Sequence, residues 1–187
     1  KEGGEMMERH WNRRTSTLLF LVLAVLILAG ITAAGIFLEE EAAVTDFSRT
    51  NLAPGGAFWF GTDWMGRDMF TRSIAGLSLS IRIGLLTAAV SAAAALALGT
   101  AAATLGRRAD SVISWCIDLV MGIPHILLVM LISIACGRGF VGVVAGVSLS
   151  HWPSLARVIR GEVLQLKGAP YILVAEKLGV SKLKVAC

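Results

Sequence analysis

The chain has 187 residues, of which 56% are hydrophobic and only 16% charged, with a formal net charge of +4 and a mean hydropathy of +0.74. Soluble domains carry about 25% charged residues; here the charges cluster and leave long uncharged gaps, which favours helices crossing lipid over one soluble core. The basic excess sits beside apolar runs without interleaved aromatics, so no nucleic-acid partner is expected, and three cysteines (Cys116, Cys136, Cys187) give neither a disulfide framework nor a metal spacing.

The N-terminal tail, residues 1–14, is polar and basic. Residues 15–38 form one uncharged run between Arg13-Arg14 and Glu39-Glu40-Glu41. As a helix it would measure about 36 Å, enough for a tilted span. It is too long for the apolar part of a signal peptide and lacks a clear cleavage site, so it reads as a retained first transmembrane helix.

Residues 39–77 are too polar to cross. A turn-rich stretch at Asn51–Gly56 precedes Phe60-Gly61-Thr62-Asp63-Trp64-Met65-Gly66-Arg67-Asp68. Thr62 or Asp63 is expected to cap a helix. From Arg67 onward Met69, Phe70, Ile74 and Leu77 alternate with Arg72 and Ser73 at helical spacing, as in an interfacial helix feeding the next span. Asp63, Arg67 and Asp68 are expected to form an ion-pair cluster. It acts either as a fold-stabilising corner, the more ordinary role, or in direct substrate contact.

Residues 78–187 read as a core of three further spans and a cytoplasmic segment. The run 83–106 carries Ala95, Gly99 and Ala103 at four-residue spacing, which allows close helix approach. The next run, 119–137, has its helix start near Ser111 and contains Asp118 and Pro124-His125. Pro124 lacks a backbone donor and favours a kink. Asp118 beside that kink either lines a pore, reaches the membrane interface, or pairs with Arg107 or Arg108. The last run, 139–156, holds Gly142-x-x-x-Gly146 and His151-Trp152-Pro153. Its short Gly137-Arg138-Gly139 connection makes it an antiparallel neighbour of the run before. His125 and His151 thereby lie on neighbouring spans, in a metal or proton role or in the more ordinary interhelical hydrogen bond.

With the N-terminus inside, twelve of the 17 lysines and arginines fall in cytoplasmic segments, as the positive-inside rule requires. The C-terminal segment then reads as a short helix (Tyr171–Leu178), a turn at Gly179, and a second helix capped by Ser181. Ile172, Ala175 and Leu178 make one apolar face, which fits either a groove on a partner or the lipid surface. No phosphate-binding Gly-x-x-x-x-Gly-Lys-Ser/Thr loop, His-Glu-x-x-His, Gly-x-Ser-x-Gly or Cys-x-x-Cys occurs. The chain is therefore read as a non-catalytic membrane subunit with no cofactor and no metal of its own.

Four separated motifs resemble the C-type membrane subunit of the dipeptide/oligopeptide/nickel ABC importer permeases. Gly61-Thr62-Asp63-x-x-Gly66-Arg67-Asp68-x-x-Thr71-Arg72 is similar to that family's signature, with Thr71 in place of the usual serine. Asp118 to Pro124 matches its Asp-x-x-x-x-x-Pro. Trp152, Ala156, Arg157, Arg160 and Gly161 match its Trp-x-x-x-Ala-Arg-x-x-Arg-Gly. Ala175, Glu176, Leu178 and Gly179 lie in a segment similar to its EAA loop, although Leu173 and Val174 stand where Glu-Ala is usual.

The resemblance implies an all-α integral membrane protein, with four transmembrane helices of an expected six and a cytoplasmic coupling helix. It implies a multi-pass subunit of a bacterial or archaeal plasma membrane with a cytoplasmic N-terminus. It further implies alternating access with an extracytoplasmic substrate-binding protein, a second permease subunit in a heterodimer, and ABC ATPase subunits that bind ATP and Mg. Asp118, Pro124, His151, Trp152 and Arg157 become candidates for the pathway or its gate. Peptides rank ahead of nickel or a metal chelate as substrate. The missing initiator Met and the stop after four spans are expected of a fragment, truncated at the C-terminus. The alternative class is a four-span scaffold or channel without an ATPase partner; a membrane-embedded enzyme is disfavoured because polar residues do not converge.

Overall fold

The computed structural model describes residues 13–170, with Ile172 and Leu178. Among these residues five α-helices follow in chain order: α1 (Arg13–Phe37), α2 (Met69–Thr104), α3 (Arg107–Met121), α4 (His125–Ala135) and α5 (Gly139–Lys167). Two 3-10 turns, Glu41–Ala43 and Phe47–Arg49, interrupt the loop between α1 and α2. The only pairing of extended backbone among the described residues is a single antiparallel bridge between Thr62 and Asp68. The chain divides into two compact units, Lys1–Arg82 and Ile83–Cys187.

In the first unit, α1 follows the expected span to within a residue or two. Its side chains from Leu18 to Leu28 are exposed, as suits a helix whose solvent is lipid. It meets the first part of α2 at a seam of small groups near its C-terminal end. Ser78 is fully buried, and its hydroxyl donates to the Thr32 carbonyl at 3.0 Å. A Cβ on Gly35 would lie 2.2 Å from that of Ser78.

α2 is one uninterrupted helix of 36 residues, about 54 Å long. The amphipathic stretch expected as a separate interfacial helix is its first three turns, with no break before the uncharged run. Nothing local ends the helix between Leu77 and Ile83, because Ser78 and Ser80 are tolerated in helix interiors and Ser80 returns its hydroxyl to the Gly76 carbonyl.

The second unit is built on small residues. Ala95, Ile117, Trp152 and Ala156 form its buried core, with Ile113, Cys116, Val120 and Ile159 packed around them. A Cβ on Gly99 would meet the Ala156 carbonyl at 2.7 Å, so the expected alanine–glycine stripe of α2 does bring a backbone close. Gly142 and Gly146 do the same on α5. Cβ atoms there would lie 2.5 Å and 2.8 Å from the Ser133 and Val129 carbonyls of α4. The α4–α5 hairpin turns through Gly137, Arg138 and Gly139, all at positive φ.

One expectation needs correction. The third span is not a kinked continuous helix: α3 and α4 meet at 95° across Gly122-Ile123-Pro124. Gly122 closes α3 and Pro124 opens α4. A proline two residues after the glycine that closes the first helix cannot continue its hydrogen-bond ladder, so one helix ends and another starts instead of a single one bending. Among the described residues two helices, α1 and α2, are long and apolar enough to cross a membrane, or three if the bent pair counts as one. α5 falls outside that count; its second half carries Arg157, Arg160, Glu162 and Lys167.

Candidate functional site

The signature segment builds a corner that delivers α2. Asp63 is its centre. The Met65 and Arg67 amides donate to its Oδ1 at 2.9 and 3.0 Å. Arg67 Nε donates to Oδ2 at 2.9 Å, and Arg72 donates to the same oxygen. Partial burial pushes this carboxyl up, but the Arg67 amide and side chain, the Met65 amide and the guanidinium charge outweigh it and lower it to about 2. Thr62 accepts from the Leu52 amide at 2.9 Å and donates to the Arg49 carbonyl. The ion-pair cluster therefore forms between Asp63, Arg67 and Arg72. Asp68 does not join it.

The helix cap also differs from expectation. Neither Thr62 nor Asp63 caps α2; Asp68 does, accepting from the Phe70 amide at 3.0 Å and the Thr71 hydroxyl at 2.7 Å. Gly66 at φ +75 lies between, and a residue in the left-handed region cannot continue into a helix. Gly61 and Gly66 are required by space as well. Cβ atoms there would meet the Leu52 and Asp46 carbonyl oxygens at 2.4 and 1.7 Å. Every residue of Gly61, Thr62, Asp63, Gly66, Arg67 and Asp68 thus has a structural task in this corner.

The second constellation lies where α3 meets α5. Asp118 accepts from Arg157 at 2.6 Å, and Asp110 accepts from Arg160 at 2.6 Å. The two arginines of the Trp-x-x-x-Ala-Arg-x-x-Arg-Gly motif therefore each hold one carboxylate of α3. Asp118 does not pair with Arg107 or Arg108. The Asp110–Arg160 pair was missed by sequence reasoning; the matching count of two arginines and two carboxylates was the available signal.

Next to this ladder the break in α3–α4 opens a cleft of about 390 Å³, lined by residues 120–125 with Leu128, Ser150 and Ser154. Pro124 and His125 are on its wall. His151 stacks edge-on against His125 with ring centroids 4.9 Å apart. Its Nδ1 lies 3.0 Å from the Val147 carbonyl, a hydrogen bond in the tautomer that carries the proton on that nitrogen. The histidines thus meet ring to ring, not through the expected interhelical hydrogen bond. Among the described residues, no three His, Cys, Asp or Glu side chains are grouped to hold a metal. Trp152 is not on the cleft; it is buried in the core with Pro153 and Ala156. Its indole is used in packing against α2 and α3. Of the segment expected to dock on an ATPase subunit, Leu178 is an exposed turn residue, and Ala175, Glu176 and Gly179 lie outside the described residues.

Residues 94–187 match the family model described as binding-protein-dependent transport system inner membrane component. The chain is 32% identical over 168 residues to the dipeptide transport system permease protein DppC of Bacillus subtilis, covering 89% of this chain and 52% of that protein. It is 30% identical over 159 residues to the oligopeptide transport system permease protein OppC of the same organism, covering 85% and 52%. With the glutathione transport system permease protein GsiD of Pectobacterium atrosepticum it shares 33% over 136 residues, covering 73% and 45%. The chain spans about half the length of these curated relatives. The matched region contains the α3–α5 ladder, the cleft and the C-terminal segment. On that match the chain belongs to the family of binding-protein-dependent transport system inner membrane components.

Proposed function

We propose that this chain is the membrane-embedded permease part of an ATP-driven ABC importer and forms a portion of the translocation path for peptides. One observation carries the reading: relatives named for dipeptide, oligopeptide and glutathione transport align over most of the chain. The cargo named in each is a peptide. None of these three is named for nickel, the other substrate implied by the resemblance.

In this reading Pro124, His125 and His151 border the path, and the Asp118–Arg157 pair stands at one edge of it. The segment with Ala175, Glu176, Leu178 and Gly179 docks on an ATPase subunit, which supplies ATP and Mg. A second permease subunit completes the path, and an extracytoplasmic binding protein delivers substrate. The N-terminus is cytoplasmic. Residues 1–14 are then its tail, 15–38 the first span, 39–77 the extracytoplasmic segment and 78–187 the permease core.

The test is uptake by cells with and without the gene, using labelled dipeptide and radioactive nickel in parallel. ATP-dependent dipeptide uptake is lost with the gene and restored by it, while nickel uptake is unchanged. Nickel uptake lost in place of dipeptide uptake would transfer the reading to metal transport. Neither lost would refute it.

A further inference from the structure

α3 has three faces. Ile113, Cys116, Ile117 and Val120 pack into the core of the second unit. Arg107, Ser111, Ser114 and Asp118 follow one another at intervals of four, three and four residues and make a polar stripe. Val112, Trp115 and Leu119 make a third stripe, 62%, 64% and 54% exposed, with Arg108 one turn before Val112. A helix crossing lipid carries a polar stripe only where it faces protein or a water-filled cavity. A helix lying in a membrane surface carries one beside an exposed apolar stripe, with one side in water and another among acyl chains.

The geometry agrees. α4, at 11 residues, is about 16 Å long and crosses only part of a ~30 Å hydrocarbon core. α3 leaves it at 95°, so where α4 follows the membrane normal α3 follows the plane. Two residues separate the end of α2 at Thr104 from the start of α3 at Arg107, so α3 begins where the uncharged run of α2 ends. Cations gather at that end. Arg107 and Arg108 are exposed and have no carboxylate partner among the described residues. Lys167 reaches the Ala103 carbonyl at 2.7 Å. The carboxylates of α3, Asp110 and Asp118, are already held by Arg160 and Arg157.

We propose that α3 is an interfacial helix that seats its Val112–Trp115–Leu119 stripe in the bilayer surface and binds anionic phospholipid headgroups through Arg107, Arg108 and Lys167. Trp115 is the anchor at the headgroup level, where an amphipathic ring is most at ease. Arg107 and Arg108, without a carboxylate partner among the described residues, select the charge of the lipid. This inference does not rest on the transport reading and fails or stands apart from it.

The experiment reconstitutes the intact chain in vesicles carrying a small fraction of brominated phospholipid, either anionic or zwitterionic, and reads tryptophan quenching. The Trp115 contribution is the difference between wild type and Trp115→Phe, which cancels the other tryptophans. Bromine placed shallow in the chains quenches Trp115 and bromine at the chain ends does not. Anionic brominated lipid quenches it more than zwitterionic lipid at equal fraction. Arg107→Gln and Arg108→Gln each reduce that preference, roughly fivefold at most for each charge removed. Both variants keep the core contacts of α3 and are checked for unchanged elution as folded protein. Absence of Trp115 quenching by either lipid would overturn the proposal and give the stripe to a protein partner. Equal quenching by both lipids, unchanged in the arginine variants, would overturn the headgroup assignment.

Discussion

Gly66→Ala tests the corner that delivers α2. The new Cβ lies 1.7 Å from the Asp46 carbonyl oxygen and 2.6 Å from its carbon. Both are backbone atoms, so no side-chain rotation relieves the clash. To reach an ordinary contact the carbonyl must retreat from 1.7 Å to about 3.4 Å or beyond. That retreat takes with it the bond from the Asp46 amide to the Met65 carbonyl, now 3.1 Å. The lost bond is worth about 1 kcal/mol net. Holding alanine at φ +75 adds about 1–2 kcal/mol. Residual overpacking adds about another 1 kcal/mol or more. The expected loss is thus about 3–4 kcal/mol, which lowers the temperature at which the detergent-solubilised protein stops eluting as a single species. Gly56→Ala is the matched control, because a Cβ there meets nothing within 4 Å and its φ is not positive. Equal thermal stability of the two variants would refute the reasoning.

Gly146→Leu drives side-chain atoms into the Val129 carbonyl, which a Cβ alone would approach to 2.8 Å; it is expected to destabilise the α4–α5 hairpin by at least about 1–3 kcal/mol in the same assay. Gly161→Ala, in open space on α5, is expected to stabilise by up to about 1 kcal/mol. Asp118→Asn and Arg157→Gln break an exposed pair and leave thermal stability nearly unchanged. If the pair acts in transport, each slows dipeptide uptake, and exchanging the two residues restores part of it; equal loss in single and exchanged variants removes the pair from the mechanism. Because Asp63 titrates at about 2 in the fold against an ordinary 3.8, its contribution is complete above the ordinary value and lost as pH falls through about 2. Pepsin susceptibility of the loop should therefore rise below about pH 3 in wild type and show no such step in Asp63→Asn. Gly179→Val is expected to uncouple ATP hydrolysis from uptake while leaving the protein in the membrane; normal substrate-stimulated ATPase activity in the reconstituted variant refutes that role.

The uncharged runs made the helices legible, since only lipid explains such gaps between charges. The small-residue stripes on α2 and α5 were legible for the same reason: four-residue spacing puts them on one face. The pairing of Asp118 was not. Arg107 and Arg108 are candidates only if they sit in a turn before a helix starting near Ser111. With α3 starting at Arg107, ten or more residues separate them from Asp118, about 15 Å along the axis. The true partner, Arg157, is 39 positions away and is brought near only by the packing of α5. The cap at Asp68 was missed because the motif was read for its charges, and the left-handed turn at Gly66 that displaces the helix start was not considered. Trp152 is a motif residue, yet its large indole shares one buried cluster with Ala95, Ile117 and Ala156, where small neighbours leave room for it.

The two ion pairs that join α3 to α5 act on a rod at unequal distances from its ends. α5 runs unbroken from Gly139 to Lys167, and Arg157 is 18 residues from the first and 10 from the second. These are arms of about 27 and 15 Å. If the pairs serve as a fulcrum, a displacement applied at the Lys167 end returns nearly doubled at the Gly139 end, where the hairpin turns into α4. A small push delivered from the C-terminal side is then geared up before it reaches the turn between α4 and α5.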